Sequence, residues 1–177
     1  MAHGKVIGRF APTPSGPLHF GSLVTAVASY CHSRSQQGQW LLRIEDVDTP
    51  RVVKGATSQI LTSLEAYGFE WDGEVLYQSS RFDYYESKLD ELLNQQDCYA
   101  CECSRKSLRE KGVKSGLMGQ IYPRICAEKN ITPNNHSIRL NTESASISRF
   151  NDQIYGNFEL NLNEQVGDFI LKRVDGI

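Results

Sequence analysis

An α/β fold with a parallel sheet, carrying an inserted cysteine-bearing α+β module, is the class this sequence predicts. Three observations carry that expectation. An apolar, β-branched run over residues 5–10 leads through a Pro/Gly loop into a helix-like run of small residues over 23–30. A second strand-then-helix alternation comes before residue 96. From about Cys98 the texture changes to cysteines, basic residues and short strand-like segments. Alternation of strands and helices implies parallel strands joined by right-handed crossovers.

Residues 40–44, Trp-Leu-Leu-Arg-Ile, read as a buried strand that ends in the acidic run Glu45-Asp46-Val47-Asp48. Val53, Ala56, Ile60, Leu64 and Tyr67 recur every three or four positions, giving an amphipathic helix ahead of Gly68. Phe82, Tyr85, Leu89 and Leu92 repeat that spacing in a third helix. A basic helix is expected over 104–111, then a Gly- and Pro-punctuated stretch. Strand-like segments come after it at 137–140, 144–150, 158–162 and 169–174. The expected organisation is a nucleotide-binding half-domain over 1–96, an inserted module over 97–165, and a return to the first sheet over 166–177.

Composition narrows the class. At 177 residues, 40% hydrophobic and 23% charged, the chain has the make-up of a folded globular protein. No apolar run approaches the length of a membrane span, and no secretory leader is visible, so a cytoplasmic protein with no membrane partner is expected; its expected assembly is a monomer. The net charge of −2 argues against wholesale non-specific nucleic-acid binding. The charge is uneven, however. Over 104–129, Arg105, Lys106, Arg109, Lys111, Lys114, Arg124 and Lys129 face only Glu110 and Glu128. Such a patch suits phosphate-backbone contact; a solvated helix face that binds nothing is the plain alternative.

The loop between the first strand and helix has the chemistry of a phosphate site. A helix N-terminus presents unpaired N–H groups and partial positive charge. Gly16 and Gly21 permit close backbone approach, and His19 offers hydrogen bonds to phosphate oxygens. At the second strand's end, Arg43, Glu45, Asp46 and Asp48 read either as a salt-bridge cluster or as part of a substrate pocket. An arginine fork pairs with a carboxylate and a carboxylate pairs with an ammonium, so Arg9 and Glu45 together suit an amino acid. In parallel sheets ligands sit at the carboxyl ends of strands, where both residues lie.

The run Arg9-Phe-Ala-Pro-Thr-Pro-Ser-Gly-Pro-Leu-His-Phe-Gly-Ser22, with Leu42-Arg-Ile-Glu-Asp-Val-Asp48, resembles the signatures of class I glutamyl-tRNA synthetases. It is most similar to their short paralogues, the glutamyl-queuosine tRNA(Asp) synthetases. The resemblance implies a Rossmann-like catalytic domain of the class I type. It implies an ATP motif at His19, Gly21 and Ser22, and glutamate contacts from Arg9, Phe10, Ala11, Pro12, Thr13 and Glu45. Ser22 stands where many class I enzymes carry a second histidine, so that histidine's role has no bearer here. The implied substrates are glutamate, ATP with Mg2+, and tRNA(Asp) bearing queuosine. An ordinary glutamyl-tRNA synthetase part and an inactive tRNA-binding module are the alternatives.

Five cysteines, an odd number, argue against a disulfide framework. Cys31 reads as a lone core residue. Cys101 and Cys103, with Cys126 later, supply thiolates of the kind a structural zinc ion takes in a tetrahedron. Spacing alone leaves Cys98 and Tyr122 as equal candidates for a fourth ligand. The family resemblance implies Cys101, Cys103, Tyr122 and Cys126 as the set, with one structural Zn2+. The family's later lysine-rich loop is not found in these residues. From that, a truncated chain unable to complete adenylation by itself is expected.

Overall fold

The computed structural model describes residues 5–110, 113–143 and 147–177. It divides into two compact units between Tyr85 and Glu86, each described by itself.

In the first unit, β1 (Ile7–Phe10), β2 (Gln39–Ile44) and the short β3 (Leu76–Tyr77) form a parallel sheet in that order. Helix α1 (Phe20–Ser35) crosses from β1 to β2, and α2 (Ala56–Ala66) lies between β2 and β3. Trp40, Leu42 and Ile44 alternate with Leu41 and Arg43, so one sheet face is buried, as strand periodicity requires. That face packs Phe10, Trp40 and Leu42 against Ala26, Ile60, Leu64 and Phe69. The rings of Phe10 and Phe69 stack with Trp40 at 6.2 and 5.4 Å, and Tyr30 meets Trp40 edge-on. β1 and α1 approach so closely that a Cβ on Gly8 would lie 2.0 Å from the Ser33 Oγ.

The second unit begins within α3 (Phe82–Asn94). Its division lies earlier than the 96/97 boundary that the sequence predicts. Leu89, Leu92 and Leu93 of α3 pack on Cys98, Ala100 and Ile138, so this part of the helix belongs with the second unit's strands. β4 (Cys98–Cys101), α4 (Arg105–Glu110) and a tight hairpin, β5 (Ser115–Gly116) with β6 (Gly119–Gln120), come next. β7 (Ser137–Leu140) pairs antiparallel with β4. β8 (Ile147–Asp152) and β9 (Gly156–Asn161) form a separate hairpin, with the one-turn α5 (Leu162–Gln165) after it. Residues 144–146 of the expected 144–150 strand, and Lys111 of the expected basic helix, lie outside the described residues.

β10 (Ile170–Lys172) pairs antiparallel with β7. The sequence expectation of a return to the parallel sheet over 166–177 therefore differs from what the described residues form. The physical reason is Asp168, fully buried just ahead of β10. Its carboxylate accepts two hydrogen bonds from Arg124, at 2.7 and 2.8 Å, and others from Thr142 N–H and Oγ1 at 2.9 and 2.7 Å. The Tyr99 hydroxyl also donates to it. A buried carboxylate stays only where its lone pairs are this fully met, and the partners come from β4, the 122–126 loop and the end of β7.

Candidate functional site

Two constellations lie in the two units. In the first, β1 ends at Phe10 and the loop runs to His19, which caps α1. The Ser22 N–H donates to His19 Nδ1 at 3.2 Å, and Ser22 Oγ lies 3.1 Å from Nε2. With Nδ1 accepting, a neutral ring carries its proton on Nε2 and donates it toward the Ser22 hydroxyl. His19 is exposed beside the helix N-terminus. A Cβ on Gly21 would press the His19 ring at 3.2 Å, so glycine leaves the ring its place.

The loop residues and the end of β2 are brought together by backbone. Glu45 N–H donates to the Pro12 carbonyl at 3.0 Å, and Val53 N–H to the Pro14 carbonyl at 2.9 Å. Pro12 is buried, while Ala11 and Thr13 are half-buried beside it. Phe10 is used differently: its side chain stacks in the core, leaving only its backbone to the loop.

Of the two readings of the acidic run, the salt-bridge cluster is the one that its contacts form. Arg43 donates to the Glu45 carboxylate, and Arg51 to Asp48 at 2.6 Å, so a salt-bridge cluster is present. Asp46 accepts from Ser79 N–H and Oγ at 2.8 and 2.6 Å, fixing the run to the end of β3. A cavity of about 360 Å³ opens on the sheet face opposite the core, with Arg9, Arg43, Arg81 and Glu74 among its lining groups. Glu45 does not line it; Arg43, which does, holds the Glu45 carboxylate. The Arg81 guanidinium lies 4.4 Å above the Tyr84 ring. Arg81 and Glu74 were not foreseen from the sequence, because the short β3 that sets them beside β2 gives no periodic signal.

In the second unit, Cys101, Cys103 and Cys126 bring their sulfurs within 4.8 Å of one another and could hold a metal ion. Cys103 and Cys126 sulfurs are 3.6 Å apart. The Tyr122 hydroxyl lies 3.3 Å from the Cys101 sulfur, 3.4 Å from Cys103, and accepts the Cys126 N–H at 3.1 Å. Cys98 faces away. Strand alternation puts it with Ala100 against Ile138, whereas Cys101 shares the other cluster with Tyr122 and Cys126. Leu108 of α4 closes that cluster.

Electrostatics separates these thiols. Burial, with Asp97 nearby, pushes the Cys98 thiol up to about 11. Burial also opposes a Cys101 thiolate, but hydrogen bonding with Tyr122 and Arg139 outweighs it and brings Cys101 below its ordinary value. Burial pushes the Tyr122 hydroxyl well up, and the three neighbouring sulfurs push it further.

The basic patch is smaller than the sequence implies. Arg124 is committed to Asp168 and to Glu143, at 2.9 Å, and Lys129 to Glu102 at 2.6 Å. Arg105, Lys106, Arg109 and Lys114 remain exposed. Among the described residues no helix is long and apolar enough to cross a membrane.

The family model described as "tRNA synthetases class I (E and Q), catalytic domain" matches residues 5–177. A glutamyl-Q tRNA(Asp) synthetase of Shewanella oneidensis is 49% identical over 174 residues, covering 98% of this chain and 56% of that protein. One from Pseudomonas syringae pv. syringae is 49% identical over the whole chain and 57% of its own length. The chain thus spans little more than half the length of these relatives. Among solved structures, the glutamate-tRNA synthetase of Elizabethkingia anophelis superposes with a TM-score of 0.79 at 28% identity, covering 97% of this chain and 40% of the other.

Proposed function

The chain belongs to the class I tRNA synthetase (E and Q) catalytic-domain family, and from that premise we propose that it is the part of a glutamyl-queuosine tRNA(Asp) synthetase that binds ATP and glutamate. The observation that carries this reading is 49% identity, over all or nearly all of the chain, to proteins named for that activity. In the proposed reaction a glutamate α-carboxylate oxygen bonds to the α-phosphorus of ATP, and pyrophosphate leaves. The glutamyl group then passes from AMP to the queuosine base of tRNA(Asp). No covalent bond to protein forms, so alignment and charge stabilisation supply the catalysis.

His19 and the first turn of α1 hold the phosphates, with Mg2+ accompanying ATP. The Nε2–H that faces Ser22 Oγ turns to a phosphate oxygen, and Gly21 leaves room for that turn. Arg9 pairs with a glutamate carboxylate. Glu45, with the 11–13 backbone beside it, receives the ammonium group. Because Arg43 already holds Glu45, Arg43 orients that carboxylate and tempers its charge.

In the second unit the reading is one structural Zn2+ on Cys101, Cys103, Cys126 and Tyr122. Zinc with Zn–S near 2.3 Å and Zn–O near 2.0 Å gives tetrahedral edges of about 3.8 and 3.5 Å. The sulfur–sulfur distance of 3.6 Å and sulfur–oxygen distances of 3.3 and 3.4 Å support that fit. When bound, the ion cross-links β4 to the 122–126 loop. The module over 97–165, with Arg105, Lys106, Arg109 and Lys114, faces the tRNA backbone in a cytoplasmic, monomeric enzyme.

The test is ATP–pyrophosphate exchange by the complete gene product with glutamate, glutamine or aspartate. Exchange with glutamate alone is expected; exchange with none would overturn the adenylation reading. Charging of the tRNA(Glu) end is a second reading, favoured by the solved glutamate-tRNA synthetase neighbours.

A further inference from the structure

Arg139, on β7, is a buried cation without an acid. It is 7% exposed, and among the described residues no carboxylate lies within ion-pair distance of its guanidinium. Its Nη1 donates to the Asp168 backbone carbonyl at 2.7 Å, while its Nε is buried with no hydrogen-bond partner. The Asp168 carboxylate is taken by Arg124. Removing a guanidinium from water without a counter-charge is costly, so the site must supply negative charge by another route.

The nearest electron-rich group is an aromatic ring. The guanidinium carbon lies 3.9 Å from the centroid of the Tyr122 ring, directly over the side chain whose oxygen faces the Cys101 and Cys103 sulfurs. With a dication bound, three thiolates and a tyrosinate would leave an excess of negative charge. The other cation near these sulfurs, Lys129, is half-exposed and engaged by Glu102. We propose that Arg139 is a positioning residue for the metal centre: it fixes the Tyr122 ring so that its oxygen completes the donor set, and it balances the charge of the occupied site. This rests on the zinc reading above and deepens it, since nothing in the ligand set itself requires an arginine.

The test uses the whole chain, its Arg139→Lys and Arg139→Met variants, and zinc itself, competed against a chromogenic chelator. Cobalt spectra provide the second readout, because the ligand field reports whether an oxygen donor completes a three-sulfur set. The expected result is one zinc per wild-type chain and an affinity lower by about 10–100-fold in Arg139→Met, the range typical of groups that orient metal ligands. Arg139→Lys, which keeps the charge but not the planar fork, falls between. The cobalt spectrum of Arg139→Met shifts while its sulfur-to-cobalt bands remain. If Arg139→Met does not fold, an intermediate loss and a shifted spectrum in Arg139→Lys carry the same conclusion. Equal affinity and identical spectra in all folded forms would overturn the role of Arg139 and leave the zinc reading intact. Failure of the wild type to take up zinc would overturn both.

Discussion

The backbone N–H of Cys126 donates to the Tyr122 hydroxyl oxygen at 3.1 Å, closing the turn that carries the third thiol with the same atom that faces the other two sulfurs. The loop is thereby folded around its own donor oxygen. Arg124 sits between them in a left-handed conformation (φ 55°), which its bonds to Asp168, Asn141 and Glu143 compensate.

Cys98→Ser keeps one metal per chain, because Cys98 faces the opposite side of β4 and stays a thiol at neutral pH. Cys101→Ser, Cys103→Ser and Cys126→Ser each lower zinc affinity sharply, and Tyr122→Phe does so less. Metal analysis after dialysis against a weak chelator measures this; loss of metal in Cys98→Ser would contradict it.

β1 packs closely on α1 at Gly8. A Cβ on Gly8 would meet Ser33 Oγ at 2.0 Å and the Ser29 carbonyl at 3.1 Å. Gly8→Ala should destabilise the first unit by about 1–3 kcal/mol, the usual cost of overpacking. Urea unfolding monitored by the fluorescence of Trp40 and Trp71, both in the first unit, reads it, and an unchanged midpoint would refute it.

Much of the fold was legible because long elements repeat their pattern. Trp40-Leu-Leu-Arg-Ile44 and the Ala56, Ile60, Leu64 series gave strand and helix as observed. The two-residue strands β3, β5 and β6 were not legible, since two residues show no period. The partner of β10 was not legible either, because pairing there is decided by Asp168 and its distant partners. The separation of Cys98 from Cys101 was open on spacing, yet strand parity, once β4 is known, decides which face each takes. Their places at two strand ends predict one pocket for Arg9 and Glu45. Among the described residues, Arg9 lines a cavity, and Glu45 joins it only through Arg43.

Acid sensitivity arises from Asp72. Its carboxylate is held below the usual range chiefly by the Trp40 N–H at 2.8 Å, against a burial penalty, with Arg34 adding to the effect. A depressed carboxylate contributes stability above its unfolded value, about 3.9, and loses it as pH falls through the lower folded value. Asp72→Asn therefore weakens the fold at neutral pH and flattens its stability curve below about pH 4. Unfolding midpoints from acid to neutral pH test this; parallel curves for the two proteins would rule it out.

His19 serves helix and ligand alike. His19→Ala removes the α1 cap, costing about 1 kcal/mol, and is expected to raise the KM for ATP more than that for glutamate in the complete gene product. Equal changes in both constants would mean that His19 acts only through the fold.

The most direct test of the account offers the complete gene product labelled glutamate and ATP with queuosine-bearing tRNA(Asp), queuosine-lacking tRNA(Asp) and tRNA(Glu), each separately. Label on the queuosine-bearing tRNA(Asp) alone is expected. Label on tRNA(Glu), or on no tRNA, would contradict it.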